Sequence, residues 1–383
     1  MDVRLFRLCV FLVSFSALLT ACTANGGSIY FVLQNEQQQK PSSLDPHLTA
    51  FDVAQLGDSF YLAAGNLYGG TASASGTPDW APGGSAMVIT PPVDGAMCNG
   101  VVAFQGAADT TPSLYASFMT SSGTEGLYKS SGSGADMFKS TQAITIDANT
   151  PDQQVQKIVV ANGRLLVLTA VSNPDATAMS SAPYLYCVYA SQDGATFSPL
   201  IDPSVKLTTQ ITDATFDGTT YYATAGNVLY TGTALPLAPF AGPTPPFTST
   251  DVLQGVYPYG GNVYVSSEAS GIYVLRAGAW STIAAVSSGT EPSLLGISGP
   301  IQGPTLLLLV GSETNGYYAL DVAAGTIARA SENALKSLTL YTAAVSKMVI
   351  YGNLVFACTD NQGLWMGAVS TSASSGVDSW KIQ

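Results

Sequence analysis

From about residue 50 to the end of the chain, short apolar runs are broken by Gly, Asn, Asp and Ser, and the runs return in a fixed order. One unit is a short apolar strand, a turn holding Gly, a second apolar strand, another turn, and a third strand led by an aromatic. Residues 211–232 (ITDATFDGTTYYATAGNVLYTG), 253–278 (LQGVYPYGGNVYVSSEASGIYVLRAG) and 344–369 (AVSKMVIYGNLVFACTDNQGLWMGAV) show it best. Aligned on the first turn, the units carry Gly57, Gly106, Gly163, Gly218, Gly261, Gly303 and Gly352. Asn162-Gly163 and Asp217-Gly218 predict type I′ hairpins, whose two central residues both need positive φ. The other aligned glycines are expected to hold the same geometry. The third-strand aromatic recurs in register as Tyr68, Tyr128, Tyr186, Tyr230, Tyr273, Tyr318 and Trp365.

A fourth strand is predicted after the aromatic, for example over 279–283 and 325–329. Four antiparallel strands returning about every 40 to 50 residues resemble the blades of a β-propeller. The expected fold is therefore all-β, a ring of seven four-stranded blades. Residues 71–100 leave room for a degenerate eighth, which is the alternative. Two segments compete to complete the last blade and close the ring, Ile29–Leu33 near the N-terminus and Asp378–Ile382 at the C-terminus.

The start of the chain follows a different pattern. Arg4 and Arg7 precede an apolar stretch from Leu8 to Leu18, and Leu19-Thr20-Ala21-Cys22 follows. This resembles the signal peptide and lipobox of bacterial lipoproteins, and the apolar stretch is too short to span a bilayer core of about 30 Å. The resemblance implies cleavage before Cys22 and acylation of that cysteine, with several acyl chains holding the protein stably on a membrane. The chain then divides into a signal peptide over 1–21, a lipidated tether over 22–27 and one propeller domain over 28–383. Thr23 stands where many diderm bacteria place Asp to retain a lipoprotein in the inner membrane, so the resemblance implies the outer membrane. It leaves open whether the domain faces the periplasm or the outside.

Charge narrows the partners. The chain holds 13 Lys and Arg against 25 Asp and Glu, and losing residues 1–21 moves the net charge from −12 to −13. Such a surface repels phosphate backbones, so nucleic acid is not an expected partner. Charged residues are only 10% of the chain, well under the roughly 25% of ordinary globular domains; Ser, Thr, Gly, Ala and Tyr take their place, as suits an exported β protein. With Cys9 cut away and Cys22 acylated, Cys98, Cys187 and Cys358 remain, small buried hydrophobes by context. Cys98 and Cys358 form a candidate disulfide for an oxidising compartment, the connectivity staying open. His47 is the single histidine, in a turn-like Asp45-Pro46-His47, and no spacing suits a metal site. No cofactor is expected.

Three insertions break the period: 71–86, 172–183 and 232–247. Loops inserted on a rigid repeat commonly carry its binding residues, which makes Trp80, Phe240 and Phe247 the candidate ligand-binding aromatics. The first and last insertions follow third strands and are expected on one face, with 172–183 on the other. Residues 191–197 (SQDGATF) resemble the Asp-box turn of sialidase-like propellers, one residue short. A sialidase resemblance would further require three converging arginines, and Arg164, Arg276 and Arg329 fall at positions that do not converge. There is no nucleophile motif and no paired-carboxylate context. The expected function is a non-catalytic, membrane-anchored propeller that binds a protein partner at the bacterial cell envelope. A glycan-binding or glycan-cleaving propeller and a surface adhesin are the alternatives.

Overall fold

The computed structural model describes residues 44–383 apart from 74–75, 82–85, 121–124, 151–152, 177–181, 285–291, 332–334 and 336. The leader, Cys22 and the Ile29–Leu33 segment lie outside the described residues. The chain forms seven antiparallel sheets in sequence order, arranged as the blades of a seven-bladed β-propeller. The innermost strands are Asp52–Leu56, Met97–Phe104, Gln154–Ala161, Ile211–Phe216, Leu253–Tyr259, Leu294–Gln302 and Val345–Tyr351. Each packs against the innermost strand of the next blade, and the first packs against the last.

The second strands explain why the pattern is so apolar. Residues Leu165, Leu166, Val167 and Leu168 run unbroken along the second strand of blade 3. Because successive side chains point to opposite faces, Leu165 and Val167 join a core shared with blade 2, while Leu166 and Leu168 join one shared with blade 4. The same division holds around the ring: seven buried clusters occupy the seven blade boundaries. A blade is thus covered on both faces, and a strand buried on both faces loses the polar alternation of a solvated sheet.

All seven third-strand aromatics of the repeat lie in third strands, in Asn66–Ala72, Glu125–Lys129, Tyr184–Ser191, Val228–Gly232, Gly271–Arg276, Tyr317–Asp321 and Leu364–Val369. The predicted fourth strands of blades 5 and 6 stand at Ala279–Ile283 and Thr326–Arg329. No eighth blade occupies 71–100. Pro78–Asp79 and Met87–Ile89 both pair with the third strand of blade 1, and Met97 already begins blade 2. Blade 2 has three strands, with the bridge Leu127 to Ile144 in the fourth position. The C-terminal Val377–Ile382 is the outer strand of blade 7, which draws all four strands from one end of the chain.

The turns need two corrections. Asn162 and Gly163 both have positive φ in a two-residue turn, but at Asp217-Gly218 only the glycine does and four residues separate the strands, so that turn is not type I′. Gly57, Gly163, Gly218, Gly261 and Gly352 have positive φ, but Gly106 and Gly303 do not. At Gly106, space decides: a Cβ would come within 2.6 Å of Asp193 O, whereas at Gly303 the near atom is Cδ1, the flexible end of the Leu307 side chain. The candidate Cys98–Cys358 disulfide is absent. Both thiols are free and buried, in the separate cores of the blade 1/2 and blade 7/1 boundaries.

A buried carboxylate fixes the start of blade 5. Asp251 accepts from Thr248 N (2.6 Å) and Oγ1 (2.9 Å), Ser267 Oγ (2.9 Å), Ser270 Oγ (2.6 Å) and Tyr273 Oη (2.9 Å). Burial alone would raise its pKa, but these donors outweigh it and bring the carboxyl down from 3.8 to about 2. A depressed carboxyl adds stability above its unfolded value and loses it as pH falls through the folded one. Asp251→Asn should therefore lower stability by about 2 kcal/mol at neutral pH. In urea titrations, its deficit relative to wild type should shrink as pH drops from 4 towards 2.

Close approach generates a second expectation. Gly311 lies in the second strand of blade 6, where a Cβ would sit 2.1 Å from Val345 O in blade 7. Gly163 meets nothing within 4 Å, so Gly163→Ala carries only the left-handed strain of about 1–2 kcal/mol. Gly311→Ala should depress the melting temperature more than Gly163→Ala. Equal shifts would place the cost in backbone strain instead of blade contact.

Candidate functional site

Every innermost strand carries an irregularity near its start. In blades 2 to 7 the pairing register with the second strand slips there, past Asn99, Gln156, Thr212, Gln254, Leu295 and Ser346. In blade 1, Phe51 N donates to Ala63 O while Asp52 is the residue opposite Ala63, which gives the same two-against-one count. A β-bulge leaves a backbone group without its ladder partner and turns the following residue. The residues that follow are Asp52, Gly100, Lys157, Asp213, Gly255, Gly296 and Lys347. They form a layer around the axis.

Neighbouring blades satisfy the groups that the bulges release. Asn99 Nδ2 reaches Val155 O (3.4 Å), Lys157 Nζ reaches Thr212 O (3.2 Å), Thr212 Oγ1 reaches Leu253 O (2.6 Å) and Ser266 Oγ reaches Leu295 O (2.5 Å). Ser298 Oγ reaches Met348 O (2.6 Å) in the last blade. Blades 1 and 2 are joined by the mutual backbone bonds of Gly65 and Cys98. Blades 7 and 1 are joined by Lys347 with Asp52 (2.7 Å) and by Tyr351 Oη with Val53 O (3.1 Å). Where the layer has glycine, the blades come closer: a Cβ on Gly255 would lie 3.2 Å from the Gly296 Cα, and one on Gly100 3.3 Å from Ile158 Cγ1.

This layer walls an axial cavity of about 390 Å³, lined by innermost-strand residues of all seven blades and by Phe51. Its charges alternate around the axis as Lys347, Asp52, Lys157 and Asp213, forming two ion pairs at 2.7 Å. Asp52 also accepts from Val53 N, and Asp213 from Val256 N. Burial raises the Asp52 pKa against the pull of Lys347, and a weaker attraction reaches it from Lys157. Burial disfavours the charge on Lys347, but the Asp52 carboxylate more than compensates and holds its pKa above the ordinary lysine value. The four charges therefore act as one coupled set. Phe51, 42% exposed, Gln156 and Ser346 are the solvent-facing bulge residues at the rim.

The sequence-predicted aromatics do not form an exposed patch. Trp80 is 2% exposed, in the core between blades 1 and 7. Phe240 and Phe247 are half-buried and pack on Trp280 of blade 5, with ring centroids 5.8 and 5.2 Å away. All three follow a short fourth strand, Pro78–Asp79 or Ala238–Pro239. Trp80 lies between two strands of blade 1, Pro78–Asp79 and Met87–Ile89, and Phe240 and Phe247 lie in the connection to blade 5; none is in the third-to-fourth loop that the insertions suggested. There they cover a neighbour's apolar surface. Arg164, Arg276 and Arg329 stand in blades 3, 5 and 6, bonded to Tyr221 Oη, Val322 O and Asn315 O, and none lines the axial cavity. In the turn at Ser191–Phe197, Asp193 accepts from Ala195 N and Thr196 N while Ser191 Oγ accepts from Gly194 N. The two amides hold the Asp193 carboxyl well below the usual carboxylate range, as befits a turn-building residue. His47 is exposed in a turn with its N–H on Asp45.

Sequence reasoning missed the axial charges although the repeat marks them. Asp52, Asp213 and Lys347 each stand five residues before a turn glycine, and Lys157 six. A tally of charged residues five or six positions before the turn glycines would have included them. Among the described residues, no three His, Cys, Asp or Glu side chains group as metal ligands, and no helix is long and apolar enough to cross a membrane.

No protein-family model and no curated protein sequence matches the chain. Solved structures do, at the level of the fold. YCF48 bound to D1 peptide is 13% identical, with a TM-score of 0.53 over 86% of this chain and 94% of that one. An ancestral GH74 enzyme is 15% identical, with a TM-score of 0.58 over 89% of this chain but 47% of the enzyme. A chain of the mitotic checkpoint complex is 12% identical, with a TM-score of 0.50 over 85% of this chain and 91% of that one. The chain thus shares the propeller fold with proteins of unlike activity.

Proposed function

We propose that this protein is a lipid-anchored, non-catalytic β-propeller that binds a protein partner at a bacterial cell envelope, with the axial cavity and its rim as the receptor surface. The observation that carries this reading is the axial layer itself. It is a rigid recess with inputs from every blade, in which both carboxylates are tied to a lysine and to a backbone N–H. A general acid or nucleophile needs a carboxyl free to meet substrate; these two are engaged in holding blades together. A propeller neighbour, YCF48, is bound to a peptide, which supports protein binding as a use of this fold. The anchor rests on Leu19-Thr20-Ala21-Cys22, and the outer membrane on Thr23. An acidic surface at −13 favours a protein over nucleic acid.

Two experiments test the reading. With a labelled fatty acid supplied to cells, the wild type should incorporate label and Cys22→Ser should not; undiminished label in the variant removes the anchor. Crosslinking in native membranes should capture one envelope protein in stoichiometric amount, and Phe51→Ser at the rim should reduce that capture while leaving the unfolding free energy in urea within about 1 kcal/mol of wild type, as exposed sites do. Reproducible hydrolysis of a glycan or ester, abolished by Asp213→Asn, would replace the binding reading with an enzymatic one.

A further inference from the structure

We infer that the axial cavity selects a carboxylate group, carried by a small aliphatic acid or by an acidic side chain or C-terminus of a bound polypeptide. The inference rests on the axial cavity being the receptor surface and adds the chemistry that the surface recognises.

The polar side chains open to the cavity are mainly donors. Behind the lining, the carbonyls of Val155, Thr212, Leu253 and Leu295 each receive a side chain from a neighbour. The carboxylates are turned away, with Asp52 and Asp213 keeping only 6 and 14% of their side-chain surface accessible. The lysines are the open members of the pairs, at 30% for Lys347 and 32% for Lys157, and both line the cavity. An ammonium carries three N–H donors. Lys347 uses one on Asp52, and Lys157 uses two, on Asp213 and Thr212 O. Donors therefore remain on both. Gln156, exposed at the rim, adds an amide with no hydrogen-bond partner among the described residues.

A ligand that brings acceptors fits the free N–H groups of Lys157 and Lys347. Size and charge narrow the ligand further. The cavity, about 390 Å³, is flanked by Ile158, Val160, Val256, Ile297 and Phe51, which suit a short aliphatic stem. The axial set is neutral as a whole, and an anion there meets two carboxylates directly behind the two ammonium groups. One negative charge spread over two oxygens is favoured over the concentrated charge of a phosphate.

The test follows the lysine Cε signals by NMR in the full chain, labelled with ¹³C-lysine. Its probes are glutarate, its neutral diamide, a tetraglutamate peptide and a tetraglutamine peptide. Glutarate or tetraglutamate should move the Lys157 and Lys347 signals saturably, while the diamide and tetraglutamine leave them in place. Lys347→Met should weaken binding about tenfold or more, the worth of one charge-assisted hydrogen bond. Because that variant leaves Asp52 without its partner, Gln156→Ala, at an exposed site, is measured beside it and should also weaken binding. Tighter binding of glutarate assigns the site to a free acid, and tighter binding of the peptide to a polypeptide. Signals that stay fixed with both acids, or that move equally with acid and amide, overturn the inference. If tetraglutamine alone moves them, or if envelope-partner capture depends on Phe51 while the acids do nothing, the cavity stands as a receptor surface and the carboxylate selectivity falls.

Discussion

The bulge at the start of each innermost strand is the constraint on which the rest of the molecule depends. Seven strands meeting near one axis would, if regular, present seven self-sufficient edges with nothing to bind one to the next. The extra residue breaks that sufficiency. A released carbonyl in a dry interior costs about 1–3 kcal/mol unless a donor reaches it, and here the donor belongs to the adjoining blade at one boundary after another. Hydrophobic burial brings the blades together without regard to height or rotation, whereas a hydrogen bond from Thr212 to Leu253 O fixes both. The apolar clusters supply cohesion, and the bulge layer supplies register.

The chain reaches this with very few charges, and among the described residues ten of its carboxylates accept a backbone N–H. Asp193, Asp217, Asp251 and Asp321 each accept at least one backbone N–H within their own turn or loop. In a protein with so little charge these side chains act as turn chemistry more than as surface electrostatics. The two axial aspartates differ, because their partners are lysines in adjoining blades.

How much of this could be read in advance follows from distance along the chain. The blade count was legible because its signals are local: a turn glycine and a third-strand aromatic recur inside every unit. Gly106 shows the limit, since it looks like a turn glycine but is required by the Asp193 carbonyl, which only folding brings near. Trp80, Phe240 and Phe247 sit in Pro/Gly/Ser-rich insertions and read as exposed, yet whether such a ring meets water depends on the neighbouring blade. Trp280, the partner of the last two, lies beyond the insertion in another sheet. The axial pairs span 295 residues for Lys347 with Asp52 and 56 for Lys157 with Asp213. Their register was present in the repeat, but their pairing was visible only in three dimensions.

Among the described residues, blade 7 takes all of its strands from the C-terminal end, and the described seam between it and blade 1 holds no exchanged strand. It is held by Lys347 with Asp52, by Tyr351 with Val53 O, by Ala50 N with Thr359 O, and by the apolar core around Phe60 and Phe356. During synthesis, blade 1 emerges first and must wait with that face uncovered until the final blade has been made, since contacts of such long range form late. Tension drawn along the chain from ahead of Leu44 also arrives at this seam, because Leu44 and Ala50 belong to its core. The joint completed last is thus the one that would carry mechanical load, and the ring is as strong in traction as that salt bridge, those hydrogen bonds and that apolar core can make it.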